Sequence, residues 1–392
     1  MSAAIQFLFI NISVEIYVIL RKHSMTFYSM LSPKTRRDIA RIIPFGVIWF
    51  VFSLLYCVLE KSLLANLNHY PSSGVRYDFA GNLLVLPTAG LIMGVLTGIL
   101  EISYFSKRFI KSSFTRKILF KSIVYLVIFI VFLIILSFVN ALYAHDEQYF
   151  YKSSSPVWTF FTNYSIIGIL LYIASVVVIT QFYAEFRESI GLDTLNNFFL
   201  GKYHHPVEEE RIFMFVDMKS STTIAESLGH VKYFEMLKEY FIDLSDAVID
   251  HSGAIYQYAG DEMIVNWELK DGLKRNCSID CFFAMKNTLE IQEDKYISKF
   301  GLLPDFKAGL HYGKVTAGEI GSLKKEIIFT GDVLNTTARI QSLCNQFGAD
   351  LLVSEDLISV LNLPVSYSAT SVGKTLLKGR SKPMELFVIS MR

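Results

Sequence analysis

Long uncharged apolar runs dominate the first half of this chain and limit what it can fold into. They lie at 42–59, 79–100, 122–144 and 156–184. A helix needs about 18–20 apolar residues to cross about 30 Å of hydrocarbon, and each run reaches that length. We therefore predict a transmembrane domain of four helices over 42–184, embedded in a lipid bilayer.

The second run contains one proline and three glycines spaced four apart: Pro87, Gly90, Gly94 and Gly98. These residues would weaken a soluble helix, but a membrane helix tolerates them. Small residues four apart also let two helices approach closely. Both a packing face and an ordinary glycine content fit this pattern.

The positions of basic residues predict the orientation in the membrane. Lys and Arg are concentrated before the first run and between the second and third: Arg21, Lys22, Lys34, Arg36, Arg37, Arg41, Lys107, Arg108, Lys111, Arg116 and Lys117. The other two loops carry only Lys61 and Arg76, and then Lys152. Because basic loops stay on the cytoplasmic side, we predict a multi-pass protein of the cell (inner) membrane with a cytoplasmic C-terminal half.

Residues 1–41 form a separate N-terminal segment. Residues 1–20 are apolar and almost long enough to span, but they contain Glu15 and lack the basic start of a signal peptide. Two readings stay open. Either an extra membrane helix precedes a basic cytoplasmic stretch, or the native chain begins at Met25.

The sequence becomes charged and amphipathic after residue 184. We interpret 185–207 as a linker, with His204 and His205 in a solvated loop, and 208–392 as one α+β domain. Lys and Arg number 37 against 36 Asp and Glu, so we expect no nucleic-acid partner. The four cysteines include no CxxC pair and no histidine at ligand spacing, which predicts reduced thiols rather than a zinc site.

Strand and helix patterns alternate within the C-terminal domain. The predicted elements are a strand RIFMFVD, helices TTIAESLGH and VKYFEMLKEYFIDLSDAVIDHSG, a hairpin AIYQYA-GD-EMIVNWEL, a helix near 275–299, a strand pair in DFKAGLHYGKVTAGEIG, a strand EIIFT and a helix GDVLNTTARIQSLCNQFG. This order predicts an α+β sandwich with a mixed or antiparallel sheet.

Two acidic residues lie at strand ends. Asp217 closes a strand and Asp261 lies in the hairpin tip, so a rigid sheet can bring them together. Either residue alone is an ordinary turn former. Two close carboxylates need a cation between them, and Mg²⁺ prefers carboxylates together with substrate phosphates. The pattern therefore predicts a metal-bound triphosphate.

A loop after Asp217 opens a helix and offers backbone N–H groups to such phosphates. Its residues are Met218, Lys219, Ser220, Ser221 and Thr222. Further along, Asn335 and Arg339 are four apart and share one helix face, where they can position a ribose and contact phosphoryl oxygens. A basic turn near the C-terminus, which can reach the β and γ phosphates, contains Lys374, Lys378, Arg380 and Lys382.

Five ordered blocks closely resemble the catalytic domain of class III adenylyl and guanylyl cyclases. They are FVDMKSST, YQYAGDEMIV, GLHYGKVTAGEIG, FTGDVLNTTARIQ and LLKGRSKPMELFVI, and the resemblance covers roughly 208–391. It implies a ferredoxin-like βαββαβ core and the conversion of ATP to cyclic AMP and pyrophosphate with two Mg²⁺ or Mn²⁺ ions per site. In this family the site lies between two cyclase domains, so the resemblance also implies a homodimer through the cyclase domain.

The same resemblance implies roles for single residues. Asp217 and Asp261 would hold the metal ions, assisted by the carbonyl of Met218. Asn335 would orient the ribose, and Arg339 would stabilise the transition state.

The resemblance also implies that Lys378 or Arg380 binds the terminal phosphates. Two positions depart from the family pattern. Gln257 stands where adenylyl cyclases usually carry a lysine that reads adenine, and the companion base reader falls on Ile328, whose side chain cannot form hydrogen bonds. We expect ATP as the substrate, with GTP and cyclic GMP as the alternative.

Two further alternatives share part of this pattern. AGDEM at 259–263 is similar to the GGDEF turn of diguanylate cyclases, but the segment that follows Asp217 does not match that family. The other alternative is a membrane receptor or scaffold with a catalytically weak cyclase-like domain. It predicts the loss of a metal-binding Asp or of Arg339, and the chain retains them.

Overall fold

The computed structural model describes residues 31–70, 77–105, 114–143, 165–190, 197, 201–322 and 325–392. The chain divides into two compact units, one formed by Thr35–Leu195 and the other containing Asn196–Arg392. The first unit is helical and the second contains a β-sheet. The two readings of residues 1–24 lie outside the described residues.

Four long helices make up the first unit: α1 Pro33–Leu64, α2 Phe79–Leu100, α3 Phe114–Tyr143 and α4 Ser165–Ile190. A π-helical turn, Glu101–Phe105, extends α2. Among the described residues, three helical stretches are long and apolar enough to cross a membrane: Pro33–Leu64, Phe79–Phe105 and Ile167–Glu188. α3 covers the third predicted run as far as residue 143, and 156–164 of the fourth lies outside the described part. The count of four spans therefore stays a prediction.

The glycines of α2 form a packing face against α1. An ideal Cβ at Gly94 would lie 2.5 Å from the Phe45 carbonyl oxygen, and one at Gly90 would lie 2.9 Å from that of Trp49. Both distances are too short for a side chain, so only glycine allows this approach. Of the two readings of the glycine pattern, the packing face is therefore the correct one.

A buried polar cluster joins α2, α3 and α4. Lys121 Nζ lies 2.5 Å from Glu101 Oε1 and 2.9 Å from Glu185 Oε1. Tyr125 donates its hydroxyl hydrogen to the other oxygen of Glu101 at 2.8 Å. Further along α4, Arg187 donates to the Arg41 carbonyl of α1 at 2.7 Å. Charged groups in apolar surroundings need such partners, and here each lies on a neighbouring helix.

One mixed sheet forms the centre of the second unit. Its strands are β1 Val207–Met218, β2 Ala254–Ala259, β3 Glu262–Glu268, β4 Phe306–Ile320, β5 Glu326–Thr330, β6 Leu351–Ser354, β7 Tyr367–Thr375 and β8 Met384–Met391. The strand order is β2-β3-β1-β4-β6-β8-β7, with β5 paired to β4. Only the β4–β6 pair is parallel among the pairs formed by these strands.

The helices of this unit lie on the two faces of the sheet. They are α5 Ser221–Leu228, α6 His230–Asp250, α7 Leu269–Leu273, α8 Cys277–Ile291, α9 Glu293–Phe300, α10 Asp332–Ser342 and α11 Glu355–Val360. The order β1-α6-β2-β3-α8-β4, with sheet neighbours β2-β3-β1-β4, is the ferredoxin-like core that the resemblance implied. The prediction of an α+β domain with a mixed sheet is confirmed.

Alternate residues of β1 serve different cores. Ile212, Met214 and Val216 pack on one face with residues of α6 and α8. Phe213 and Phe215 pack on the other face with Val333 of α10. This period of two is the signature of a strand buried on both sides.

Two predicted elements are wrong in detail. The sequence DFKAGLHYGKVTAGEIG is one strand, β4, rather than a strand pair. The strand continues through Gly313, which pairs with Arg211 of β1. Glycine at this position leaves room for α10, because an ideal Cβ would lie 2.8 Å from Val333 Cγ2. The helix near 275–299 is divided at Gln292, where Glu293 and Asp294 begin a new helix with acidic residues in its first turn.

Candidate active site

Asp217 lies at the end of β1 on the face that α10 covers. It follows Phe213 and Phe215 at the same spacing of two, so its side chain shares their face. Its carboxylate is 27% exposed. The hydrophobic residues before it thus fix an acidic group at the rim of the sheet.

Asp261 lies in the two-residue turn between β2 and β3. Gly260 has a φ of 67°, which favours glycine, and Ala259 pairs with Glu262 across the turn. Glu262 in turn lies directly opposite Asp217 in the β1–β3 pair. Opposite residues in an antiparallel pair have Cβ atoms about 4.5–5.5 Å apart. The register therefore brings the carboxylates of Asp217, Asp261 and Glu262 to one edge of the sheet.

This edge carries a surplus of negative charge. Burial, together with the charges of Asp217 and Asp261, raises the pKa of Glu262 to about 7. Near neutral pH this carboxyl group retains its proton in part, because a third negative charge at this edge is unfavourable. A bound cation would relieve that repulsion.

One oxygen of Asp217 is held by two neighbouring side chains. Gln341 Nε2 of α10 donates to Asp217 Oδ2 at 2.9 Å. Lys307 Nζ, on the neighbouring strand β4, lies 3.3 Å from the same oxygen and also donates to Asn345 Oδ1 at 3.1 Å. Among the described residues, no donor contacts Oδ1 of Asp217. The second oxygen is therefore available to a ligand.

The loop after Asp217 has fewer free groups than the sequence predicted. The side chain of Met218 is buried in the core, so only its carbonyl is available to a metal. The N–H group of Lys219 donates to the Asp305 carbonyl at 2.8 Å, and its ammonium group pairs with the carboxylates of Asp305 and Asp350. Ser220 adopts a left-handed conformation before α5, with a φ of 55°.

Ser221 and Thr222 form the first turn of α5. The preceding residue provides no side-chain hydrogen bond to this helix start. Their backbone N–H groups are therefore the part of the predicted phosphate loop that is best placed for an anion.

Asn335 and Arg339 lie on the side of α10 that faces away from the sheet. At 100° per residue, Arg339 is about 160° around the helix from Gln341, which faces Asp217. Asn335 is exposed and Arg339 is half-buried. Within one chain, the predicted metal ligands and this pair are thus on opposite sides of α10.

The predicted phosphate-binding turn lies beside Arg339. An ideal Cβ at Gly379 would lie 3.3 Å from Arg339 Nη2, so the guanidinium group rests against the turn between β7 and β8. In the same turn Lys378 is exposed, and Arg380 Nε pairs with Asp332 Oδ2 at 3.3 Å. The structure therefore brings Arg339 and the predicted phosphate-binding turn together on one surface.

Gln257 and Ile328 lie on two strands whose neighbouring residues touch. Gln257 is exposed on β2 beside an irregularity in its pairing with β3. Ile328 is half-buried on β5 and pairs with Gly318. The backbone N–H of Phe329 donates to the hydroxyl of Tyr256 at 3.4 Å. No base-recognition contact follows from this arrangement alone.

Comparison with known proteins identifies the family. Residues 204–391 match the family described as the adenylate and guanylate cyclase catalytic domain. The chain is 31% identical over 266 residues to adenylate cyclase 2 of Rhizobium meliloti (strain 1021), covering 62% of this chain and 73% of that protein. The chain belongs to the adenylate and guanylate cyclase family.

Other members of the cyclase family match over less of their length. The chain is 25% identical over 182 residues to an adenylate cyclase of Anabaena cylindrica, covering 45% of this chain but only 36% of that protein. A bacterial light-regulated adenylyl cyclase of known structure superposes with a TM-score of 0.50 at 19% identity, over 58% of this chain and 66% of that one. This second likeness shows a shared fold.

The acidic edge of this cyclase suits a hard divalent cation. Carboxylate and carbonyl oxygens are the ligands that Mg²⁺ and Mn²⁺ prefer, and Asp217, Asp261 and the Met218 carbonyl supply them. In the described part of the chain, no three His, Cys, Asp or Glu side chains are arranged to hold a metal alone. Mg²⁺ requires near-octahedral coordination and usually keeps several waters, so water and substrate oxygens would complete the coordination.

Three residues of this site are absent from the sequence-based prediction: Glu262, Lys307 and Gln341. The hairpin contained the signal for Glu262, because a two-residue turn at Gly260 and Asp261 leaves Glu262 as the first residue of β3. The contact of Lys307 with Asp217 depends on the pairing of β4 with β1, and that of Gln341 depends on how α10 packs on the sheet. Local sequence patterns specify neither.

Proposed function

We propose that this chain is a membrane-bound adenylate cyclase that converts ATP to 3′,5′-cyclic AMP and pyrophosphate for intracellular signalling. One observation carries the proposal. Asp217 lies beside Gln341 on the sheet-facing side of α10, with Asp261 at the same end of the sheet, and Asn335 and Arg339 lie on the other side of the helix. The first surface carries the predicted metal ligands and the second carries the predicted nucleotide-binding residues. Two copies of the chain would therefore build two complete sites by symmetry.

In each composite site, one chain would hold the metals and the other the nucleotide. Asp217 and Asp261 of the first chain would bind two Mg²⁺ or Mn²⁺ ions. When bound, these ions make the ribose 3′-hydroxyl more acidic and neutralise the phosphate oxygens. Lys378 or Arg380 of the second chain would bind the β and γ phosphates through charge-assisted hydrogen bonds.

The reaction is an in-line displacement at the α-phosphorus. The 3′-hydroxyl loses its proton to solvent, and its oxygen forms a bond to the α-phosphorus. The bond from that phosphorus to the bridging oxygen breaks, and pyrophosphate leaves with the electron pair. Arg339 would stabilise the charge that develops on the phosphoryl oxygens, and Asn335 would hold the ribose in line.

Recognition of the base would involve Gln257, whose amide can both donate to and accept from the edge of adenine. The relatives from Rhizobium meliloti and Anabaena cylindrica carry the name adenylate cyclase, which supports ATP as the substrate. The location of the basic loops supports a catalytic domain on the cytoplasmic side of the membrane, where ATP is present.

The first test measures product formation by the full chain in native membranes, with Mn²⁺ and either ATP or GTP. We expect cyclic AMP from ATP. Asp261→Asn should abolish it, and Arg339→Ala should lower turnover by about 100-fold to 1,000-fold, as loss of a charge-stabilising donor does. Asp246→Asn, an exposed position on α6, is the matched control. Equal product from Asp261→Asn would disprove the metal assignment, and cyclic GMP alone would correct the substrate to GTP.

The second test addresses the composite site. Asp261→Asn and Arg339→Ala chains are each expected to be inactive alone. When they are co-expressed in equal amounts, half of the dimers should pair one of each and contain one intact site. Activity should therefore return to about a quarter of the wild-type value. A mixture that stays inactive, although the two chains copurify, would contradict a site shared between two copies.

A further inference from the structure

We infer that Gln341 is a positioning residue that orients Asp217 for metal binding, an inference that rests on the function proposed above. Gln341 would not touch the substrate. It would act through Asp217, by holding one carboxylate oxygen so that the other points to the metal.

The first support is that the two oxygens of Asp217 have different surroundings. Oδ2 receives Gln341 Nε2 at 2.9 Å and lies 3.3 Å from Lys307 Nζ. Oδ1 receives no hydrogen bond from the described residues. A carboxylate anchored through one oxygen has a fixed plane, so its remaining lone pairs keep one direction.

The second support is the close packing of α10 against β4 at Gln341. An ideal Cβ at Gly309 of β4 would lie 2.5 Å from the backbone nitrogen of Gln341 and 2.8 Å from its Cα. Glycine at this position therefore lets the helix backbone contact the strand. Gln341 itself is 7% exposed. Because its backbone is held against β4 and its side chain is buried, the amide has little freedom to leave Asp217.

The two donors to Oδ2 are not equivalent. Lys307 brings a positive charge that opposes a nearby cation, and it also donates to Asn345 at 3.1 Å. Gln341 is neutral, so it can fix the carboxylate without repelling the metal. This difference makes Gln341 the cleaner position for a test.

The experiment compares wild-type full chain with Gln341→Met in detergent micelles, using Mn²⁺ alone and following free Mn²⁺ by electron paramagnetic resonance. Methionine has a similar volume but no donor. We expect the Mn²⁺ dissociation constant to rise about tenfold, as it does when an outer partner of a ligand is removed. The control Gln346→Met changes an exposed glutamine in the turn that follows the same helix and should bind Mn²⁺ as wild type does.

A role in folding is separated from a role in positioning by two further measurements. Turnover of Gln341→Met should recover at saturating Mn²⁺, whereas a misfolded chain would not. Gln341→Asn retains the amide but is too short to reach Asp217, so it should share the Mn²⁺ defect with an unchanged thermal midpoint.

The outcomes distinguish this inference from the proposed function. If Asp217→Asn loses Mn²⁺ binding while Gln341→Met and Gln341→Asn bind as tightly as wild type, the positioning role is overturned and the metal assignment stands. If Asp217→Asn binds Mn²⁺ as well as wild type, the metal assignment itself fails.

Discussion

His311 is a buried titratable residue in β4 that lies outside the predicted machinery. It is 4% exposed, and its Nδ1 lies 2.8 Å from Ser354 Oγ. Burial lowers the pKa of His311 to about 4, and the charge of Arg380 acts in the same direction, while Asp356 and Asp332 oppose it. The native domain therefore holds a neutral imidazole.

Acid should destabilise the sheet through this histidine. Above pH 6.5 the imidazole is neutral in both folded and unfolded chains and has no pH-dependent effect. As the pH falls from about 6.5 to about 4, the unfolded chain binds the proton first. The free energy of unfolding should then fall by an amount on the order of 3 kcal/mol.

Hydrogen exchange of peptides that cover β4, measured on the full chain in detergent between pH 7 and pH 4, checks this effect. Protection, corrected for intrinsic exchange, should decline in wild type and decline less in His311→Gln. The control is His230→Gln, an exposed position. A decline of equal size in His311→Gln would assign the acid sensitivity to other groups.

At the scale of single elements, the close contact of α2 with α1 depends on glycines of α2, whose backbone touches the backbone of α1. Gly94→Val places a branched side chain where the Phe45 carbonyl lies 2.5 Å from the ideal Cβ. We expect the free energy of unfolding to fall by about 1–3 kcal/mol, because the added side chain forces the two helices apart. The measurement is the temperature at which half of the detergent-solubilised chain stays monodisperse.

The matched control for that prediction is Gly168→Val in α4, where no heavy atom of the described residues outside that helix's own backbone lies within 4 Å of the ideal Cβ. Both substitutions add the same apolar side chain to a membrane helix. If Gly168→Val lowers the midpoint as much as Gly94→Val, the close helix contact is not the cause.

Local patterns predicted the elements that carry their own signal. The apolar run that ends at Asp217 and the two-residue turn before Glu262 specify β1 and the β2–β3 hairpin. β6, β7 and β8 were not predicted, because β6 is only four residues long and β7 is largely exposed on both faces. The strand pair predicted over DFKAGLHYGKVTAGEIG was wrong, because the close packing of Gly313 against α10 is a tertiary requirement that the sequence alone does not display.

The same limit applies to the candidate site. Asp217 and Asp261 could be identified because one lies at the end of a recognisable strand and the other in a recognisable hairpin turn. Gln341 and Lys307 reach Asp217 from a helix and a strand that lie far along the chain, and their contacts follow from the register of β4 and the seat of α10. The proposed metal ligands were therefore easier to identify from the sequence than the residues that hold them in place.

At the scale of the whole molecule, the orientation in the membrane is open to a direct test. In a chain whose four cysteines are replaced by serine, Ser72→Cys lies in a predicted outer loop and Ser112→Cys in a predicted cytoplasmic loop. A membrane-impermeant maleimide should label Ser72→Cys in intact cells and Ser112→Cys only after permeabilisation. The opposite labelling would place the catalytic domain outside the cell.

The buried charges of α4 restrict how that helix can move. Glu185 pairs with Lys121 of α3, which also pairs with Glu101 at the end of α2, and Arg187 is bonded to the backbone of α1. A shift of α4 by one turn would separate these buried charged groups from their partners, at a cost of several kcal/mol. Sliding of α4 alone along its axis is therefore disfavoured, and we expect its last turns to move together with the three helices that they contact.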